Sequence, residues 1–193
     1  MKTNLKKLVK NFFCGLLAVI TLCSCFGCNP ASSEQESESA PTEVTMKYLI
    51  NDGKCDYSIV IADNASETEE FAAKELVYFT QEVVGIKLPI KRDSEVSYNE
   101  STKIISIGKN KLSKKAGVTL TATEVNTDGF AFRNVGDMIF INGYYDRGTL
   151  YGVYEFIEKY LGVKFLTSDA TYIPETKNVM IEETLNVLEK PAF

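Results

Sequence analysis

The chain contains no histidine among its 193 residues, which removes the commonest general base and the usual partner of serine and cysteine nucleophiles. Lysine and carboxylate bases remain, but no spacing pairs them. One stretch gathers groups able to hold a ligand, Tyr144-Tyr145-Asp146-Arg147. Adjacent aromatic rings can stack on the faces of a sugar, while a carboxylate beside a guanidinium accepts from and donates to its hydroxyls. The same four residues also read as scaffold, with both tyrosines closing a core, Asp146 capping a helix and Arg147 paired with a carboxylate. A metal site has little to build on. The run Cys23-Ser24-Cys25-Phe26-Gly27-Cys28 follows directly on an apolar segment, and no histidine can complete a mixed ligand set. With Cys14 inside that apolar segment, Cys55 is the only cysteine after Cys28. It can form no bridge there, and with only Lys54 beside it to favour a thiolate it reads as inert. No cofactor is expected.

The element that must position the tyrosine loop follows it directly. Leu150, Val153, Tyr154, Ile157 and Leu161 recur with helical spacing and share one face, which needs a sheet to cover it. Asp146 is placed to act as the N-cap and Gly162 as a left-handed C-cap. Inside this helix lie Gly148 and Gly152. A mid-helix glycine costs about 1 kcal/mol relative to alanine, so something must approach that side closely. A packed strand and a ligand against the backbone would both use glycine in this way.

Upstream, residues 57–62 (YSIVIA) read as a buried strand. A second helix follows, opened by the Ser66/Glu69 capping box, striped by Ala72, Leu76, Phe79 and Val83, and closed by Gly85. Glu70 and Lys74 form a pair one turn apart on its outer face. Strand signals continue at Leu88 and Ile90, where Pro89 indicates an edge, and at KIISIG over 103–108. The basic stretch after Gly108 lacks the spacing of a phosphate loop and predicts a short solvent-facing helix ending at Gly117. GFAFRNV and DMIFING alternate around Gly136-Asp137 as an antiparallel hairpin does. VKFLTS and NVMIEE read as further strands on either side of a loop at Pro174. Together these predict an α+β fold, a mixed β-sheet with two main helices packed on it.

The N-terminus carries a different signal. Lys2, Lys6, Lys7 and Lys10 precede an apolar run from about Phe12 to Leu22, shorter than the ~20 residues of a permanent span. Leu22-Cys23-Ser24-Cys25 resembles a bacterial lipoprotein signal, which implies cleavage after residue 24 and acylation of Cys25; Cys28 is the alternative. Residues 25–43 are rich in Ser, Glu and Pro and read as a disordered tether. Loss of residues 1–24 moves the net charge from −5 to −9, which argues against nucleic acid as a partner and leaves the membrane reached through the lipid anchor only. The expected location is extracytoplasmic.

Residues 44–193 supply enough chain for one domain. The segment YSIVIADNASETEEFAAKELVYFTQEVVG, the strand IISIG, the hairpin DGFAFRN with MIFING, and RGTLYGVYEFIEKYLGVKF resemble the N-terminal domain that precedes the barrel in family 67 α-glucuronidases. A similar domain precedes the barrel of family 20 hexosaminidases. The closing EKPAF resembles the segment that hands over to the catalytic barrel. The resemblance implies a non-catalytic accessory domain with the barrel as its partner and polysaccharide as the parent's substrate. Hydrolysis of a glycoside uses two carboxylates about 5–5.5 Å apart for retention and further apart for inversion. No such pair stands out: Glu69, Glu70, Glu155 and Glu158 are expected on solvated helix faces, and Glu182 and Glu183 on opposite sides of a strand. A barrel also needs about 200 residues or more, so the catalytic groups are expected beyond Phe193. Two other readings stand beside this one, a freestanding carbohydrate-binding lipoprotein and a protein-docking surface module. The absence of tryptophan counts against an aromatic sugar platform.

Overall fold

The structure is a computed structural model and describes residues 44–191. The signal segment, Cys25 and the whole of the tether lie outside the described residues. A mixed six-stranded sheet runs in the order β10-β5-β6-β4-β2-β3. Its parallel part consists of β2 (Ser58–Ile61), β3 (Ile90–Arg92), β4 (Ile104–Ile107) and β6 (Met138–Gly143). Strands β5 (Phe130–Val135) and β10 (Asn186–Glu189) add antiparallel pairs at one end. Every residue of β2, β4 and β6 is buried, because both sheet faces are covered, and this is why these strands read as continuous apolar runs.

Alternation along the strands divides the core in two. Ile59, Ile61, Ile105, Ile107, Phe132, Ile139 and Ile141 face α1 (Glu67–Val84) and α4 (Asp146–Phe156). Val60, Ile104, Met138 and Phe140 face the opposite side, where Leu112 and Val118 cover them. Leu112 lies on α2 (Lys111–Lys115), so this short helix packs on the sheet as well as facing solvent. A four-residue helix, α3 (Ala122–Val125), precedes the hairpin. A ribbon of β1 (Met46–Ile50) and β9 (Val179–Glu182) extends the first core through Leu49, Ile50, Val179 and Ile181. Strands β7 (Lys164–Thr167) and β8 (Ala170–Tyr172) form a separate hairpin.

The expected capping box of α1 is present. Ser66 Oγ accepts from Glu69 N and Glu69 Oε2 accepts from Ser66 N, while Gly85 closes the helix at φ 83°. Ile90 follows Pro89 into an edge strand, as its position required. Two details of α4 differ from expectation. Tyr145 is its N-cap and Asp146 its first helical residue, with no side-chain capping bond. Gly143 N instead donates to Thr149 Oγ1 at 2.9 Å, and this ties the first turn to the end of β6. The helix then widens into a π turn over Ile157–Leu161 before Gly162 at φ 74°. Leu150 and Tyr154 are only partly buried, while Phe156 is fully inside.

Protein, and not ligand, accounts for the two helical glycines. A β-carbon on Gly148 would collide with the Gly129 carbonyl oxygen, whereas one on Gly152 would meet Ile141 Cγ2 and Phe130 Cβ at 3.1 Å. Gly148→Ala should therefore destabilise by about 1–3 kcal/mol, because a backbone atom must move. Gly152→Ala should be close to neutral, since a gain of about 1 kcal/mol in helix propensity offsets a small shift of side chains. Urea unfolding of the two variants separates them, and equal costs would remove the close-approach explanation.

Candidate functional site

Strands β2, β4 and β6 are parallel neighbours, so the loops after them lie along one edge of the sheet. They carry Asp63 and Asn64, then Lys109 and Asn110, then Tyr144 to Arg147. Helix α1 leaves β2 to reach β3 on one side, while β4 lies on the other. In open α/β sheets a crevice forms where successive connections diverge in this way. Here it measures about 360 Å³ and is lined by Asp63, Asp93, Lys109, Asn110, Lys111 and Lys114 among others.

The crevice is built from buried polar anchors. Asn110 Oδ1 accepts from Leu112 N and Ser113 N, both at 3.0 Å, and its amide donates to Ser106 Oγ at 2.7 Å. Asp93 is buried; it accepts from Asp63 N at 3.1 Å and Lys111 N at 2.8 Å. Above it Lys111 Nζ lies 2.6 Å from Asp63 and 3.5 Å from Asp93. Hydrogen bonds from Lys111 and then Ser94 hold the Asp63 carboxyl down at about 2, and Asp63 in turn raises the Lys111 ammonium. Both groups are therefore charged at neutral pH. Among the described residues neither Lys109 nor Lys114 forms an ion pair.

The loop over 144–147 divides between support and exposure. Tyr144 packs against the cluster of Leu120, Val125 and Ala131, and Lys109 Nζ sits 4.1 Å from its ring centroid in a cation–π contact. Tyr145 stands edge-on to Tyr144 at 4.7 Å and is 53% exposed. Asp146 is exposed at the start of α4. Arg147 grips Asp128 through two bonds of 2.6 and 2.9 Å, which commits its guanidinium to the protein. The structure thus brings Tyr144, Tyr145 and Lys109 together and turns Arg147 to a carboxylate.

Glu69 departs from the solvated face expected of it. It is only 7% exposed, and besides closing the capping box it accepts from Lys109 N at 3.2 Å. A side chain on Gly108, at φ 73°, would collide with this carboxylate. Burial pushes the Glu69 carboxyl up, against the opposing pull of the Ser66 and Lys109 amides. Glu70 pairs with Arg92 at 2.8 Å, Glu155 is exposed, and Glu158 is half-buried. Glu182 accepts from Tyr160 Oη at 2.6 Å and lies 2.9 Å from Lys159 Nζ. Cys55 donates to Leu49 O at 3.4 Å, and burial pushes its thiol up. Among the described residues no group of three His, Cys, Asp or Glu side chains could hold a metal ion.

Sequence reasoning missed the crevice because Asp63, Asp93 and Lys111 come from three separate segments of the chain. The available signals were the glycine after a strand at Gly108 and the density of lysine that follows it.

Comparison with known proteins places this architecture. No curated protein matches the chain. Among solved structures, a family GH115 4-O-methyl-α-glucuronidase with specificity for decorated arabinogalactans has a TM-score of 0.53 at 19% identity, over 75% of this chain and 18% of its own. An exo-β-N-acetylglucosaminidase of family GH20 from Vibrio harveyi has a TM-score of 0.44 at 14% identity, over 78% of this chain and 18% of its own. A Streptomyces plicatus β-hexosaminidase has a TM-score of 0.46 at 9% identity, over 78% and 24%. The first shares the fold, and the chain spans only 18% of that protein's length. The model of the glycosyl hydrolase family 67 N-terminus matches residues 50–156, which run from the end of β1 through the parallel strands, both main helices and the hairpin. With more than half of its residues inside that match, the chain belongs to the glycosyl hydrolase family 67 N-terminus.

Proposed function

We propose that residues 44–193 form a non-catalytic N-terminal accessory domain of a glycoside hydrolase that acts on polysaccharide, α-glucuronidase-like or hexosaminidase-like, with its catalytic barrel following Phe193. The family match over residues 50–156 carries this reading. The disposition of the acids supports it. Glu69, Glu70, Asp63, Asp93, Asp128 and Glu182 are each engaged by amides, lysines, arginines or a tyrosine of the scaffold, contacts that account for these acids as structural groups. The domain's role is then to pack on the barrel and lend the Tyr145 loop to its rim, where polysaccharide passes. Residues 1–24 serve as a signal peptide and 25–43 as a tether, with acylation at Cys25 anchoring the protein to a bacterial membrane in an extracytoplasmic location, at the cell surface or in the periplasm.

The test compares this chain with the product of the reading frame extended past Phe193, on aryl glycosides and glucuronoxylan fragments. Activity confined to the longer product is expected. Hydrolysis by the 193-residue chain itself would overturn the non-catalytic assignment, and inactivity of both products would overturn the parentage. Labelled palmitate should enter the chain and be lost with Cys25→Ala.

A further inference from the structure

We propose that the crevice between the loops after β2 and β4 is a binding site for an acidic saccharide, with Lys109 and Lys114 meeting its carboxylates and Tyr145 flanking it. The proposal rests on the reading of the chain as a glycosidase accessory domain, and adds to it a site and a ligand class.

Three observations carry it. The first is charge. The crevice is lined by Lys109, Lys111 and Lys114 with Asp63 and Asp93, and Glu69 accepts from Lys109 N beneath it, so it gathers three ammonium groups on a chain whose net charge is −5. Lys111 is fully engaged by both aspartates, which leaves Lys109 and Lys114 as ammonium groups without a carboxylate among the described residues. The second is rigidity. Buried Asp93 and Asn110 fix the floor through backbone amides, and Glu69 fixes Lys109 N from below, so a ligand meets a preformed surface and little ordering opposes binding. The third is composition. Asp63 Oδ1 accepts from Ser94 and Oδ2 from Lys111, yet the side chain is 40% exposed and each oxygen keeps a lone pair for a sugar hydroxyl, and Lys109 links the crevice to the tyrosine pair, where the Tyr145 ring is half exposed. A membrane surface is the poorer match, since an acidic domain is repelled by anionic headgroups and a concave site excludes a flat bilayer.

The test is calorimetric titration of the full chain with oligogalacturonate and with neutral oligogalactose of equal length. Oligogalacturonate should bind, weaken as salt is added, and exceed the neutral oligomer by about tenfold, the effect of two partly screened charge contacts. Lys109→Gln with Lys114→Gln should remove that advantage with only a small fall in melting temperature from the lost Lys109–Tyr144 contact, while arginine at both positions should keep it and so controls for folding. The proposal is overturned by absence of oligogalacturonate binding, by equal binding of both oligomers, by glutamine variants that bind like the parent, or by lysine-dependent binding to phosphatidylglycerol vesicles without binding of the saccharide. Each of these outcomes leaves the accessory-domain reading intact, because that reading is decided by the activity of the extended product.

Discussion

Phe132→Ala should cost about 3–5 kcal/mol, the range for deleting a fully buried aromatic side chain. Phe132 is 0% exposed in β5, between β10 and β6. Its ring stacks on Phe130 at 5.4 Å and meets Phe156 and Tyr160 edge-on at 5.7 and 6.4 Å. It therefore joins the antiparallel part of the sheet to α4 and to the π turn behind it, the helix that presents the tyrosine loop. Packing of this kind collapses little when one ring is removed, because the strand and helix on either side are held by other contacts. Phe132→Leu keeps most of the volume and should cost about 1.5 kcal/mol or less. Urea denaturation midpoints measure both. Leu188 on β10, 45% exposed, is the control, where alanine should stay within about 0.5 kcal/mol of the parent. An alanine cost at position 132 as small as the leucine cost would mean that α4 settles onto the sheet and that the ring is not the joint between them.

Features set by short-range rules were legible in the sequence. The Ser66/Glu69 box and Gly85 bound α1 where they appear in the chain, and Gly136-Asp137 turns the β5–β6 hairpin, with Val135 opposite Met138 and Gly136 at φ 58°. Strands β1, β8 and β10 carry no such signal. β1 finds its partner in β9, more than a hundred residues away, and β10 is a short, mostly exposed strand whose place depends on β5. The π turn was hidden because apolar spacing alone continues an α-helix through it. In the tyrosine loop, Tyr144 closes a core and Arg147 pairs with a carboxylate, as their residue types allow, but that the carboxylate is Asp128 depends on the tertiary fold. The helical glycines turned out to accommodate Gly129, Phe130 and Ile141, contacts that spacing alone could not name. The crevice was the least legible feature, since its charges meet only once β2, β4 and the loop at Asp93 lie side by side.

Glu69 shows how a local signal can carry a tertiary consequence. Glu69→Ala should destabilise by about 2–4 kcal/mol, because it removes half of the capping box and leaves the Ser66 and Lys109 amides without their acceptor. Glu69→Gln preserves the shape but offers one oxygen in place of two, turning an amide N–H toward a backbone N–H, and should cost roughly half as much. The pH dependence follows from burial, which raises the folded-state carboxyl above its ordinary value of 4.5. The folded protein then binds the proton more tightly than the unfolded chain, so this group's contribution to stability is complete in acid and declines as pH rises from 4.5 through the folded value. Glutamine has no proton to lose. The stability gap between parent and Glu69→Gln should accordingly be widest in acid and narrow toward neutral pH, measured by urea unfolding across a pH series. Asp146 reinforces this direction, since its negative charge also raises the carboxyl, and Asp146→Asn should reduce the pH-dependent part of the gap. A gap that widened with pH would mean that the two amide donors outweigh burial. In either case Glu69 is the strut beneath Lys109, so the same substitutions loosen the crevice floor.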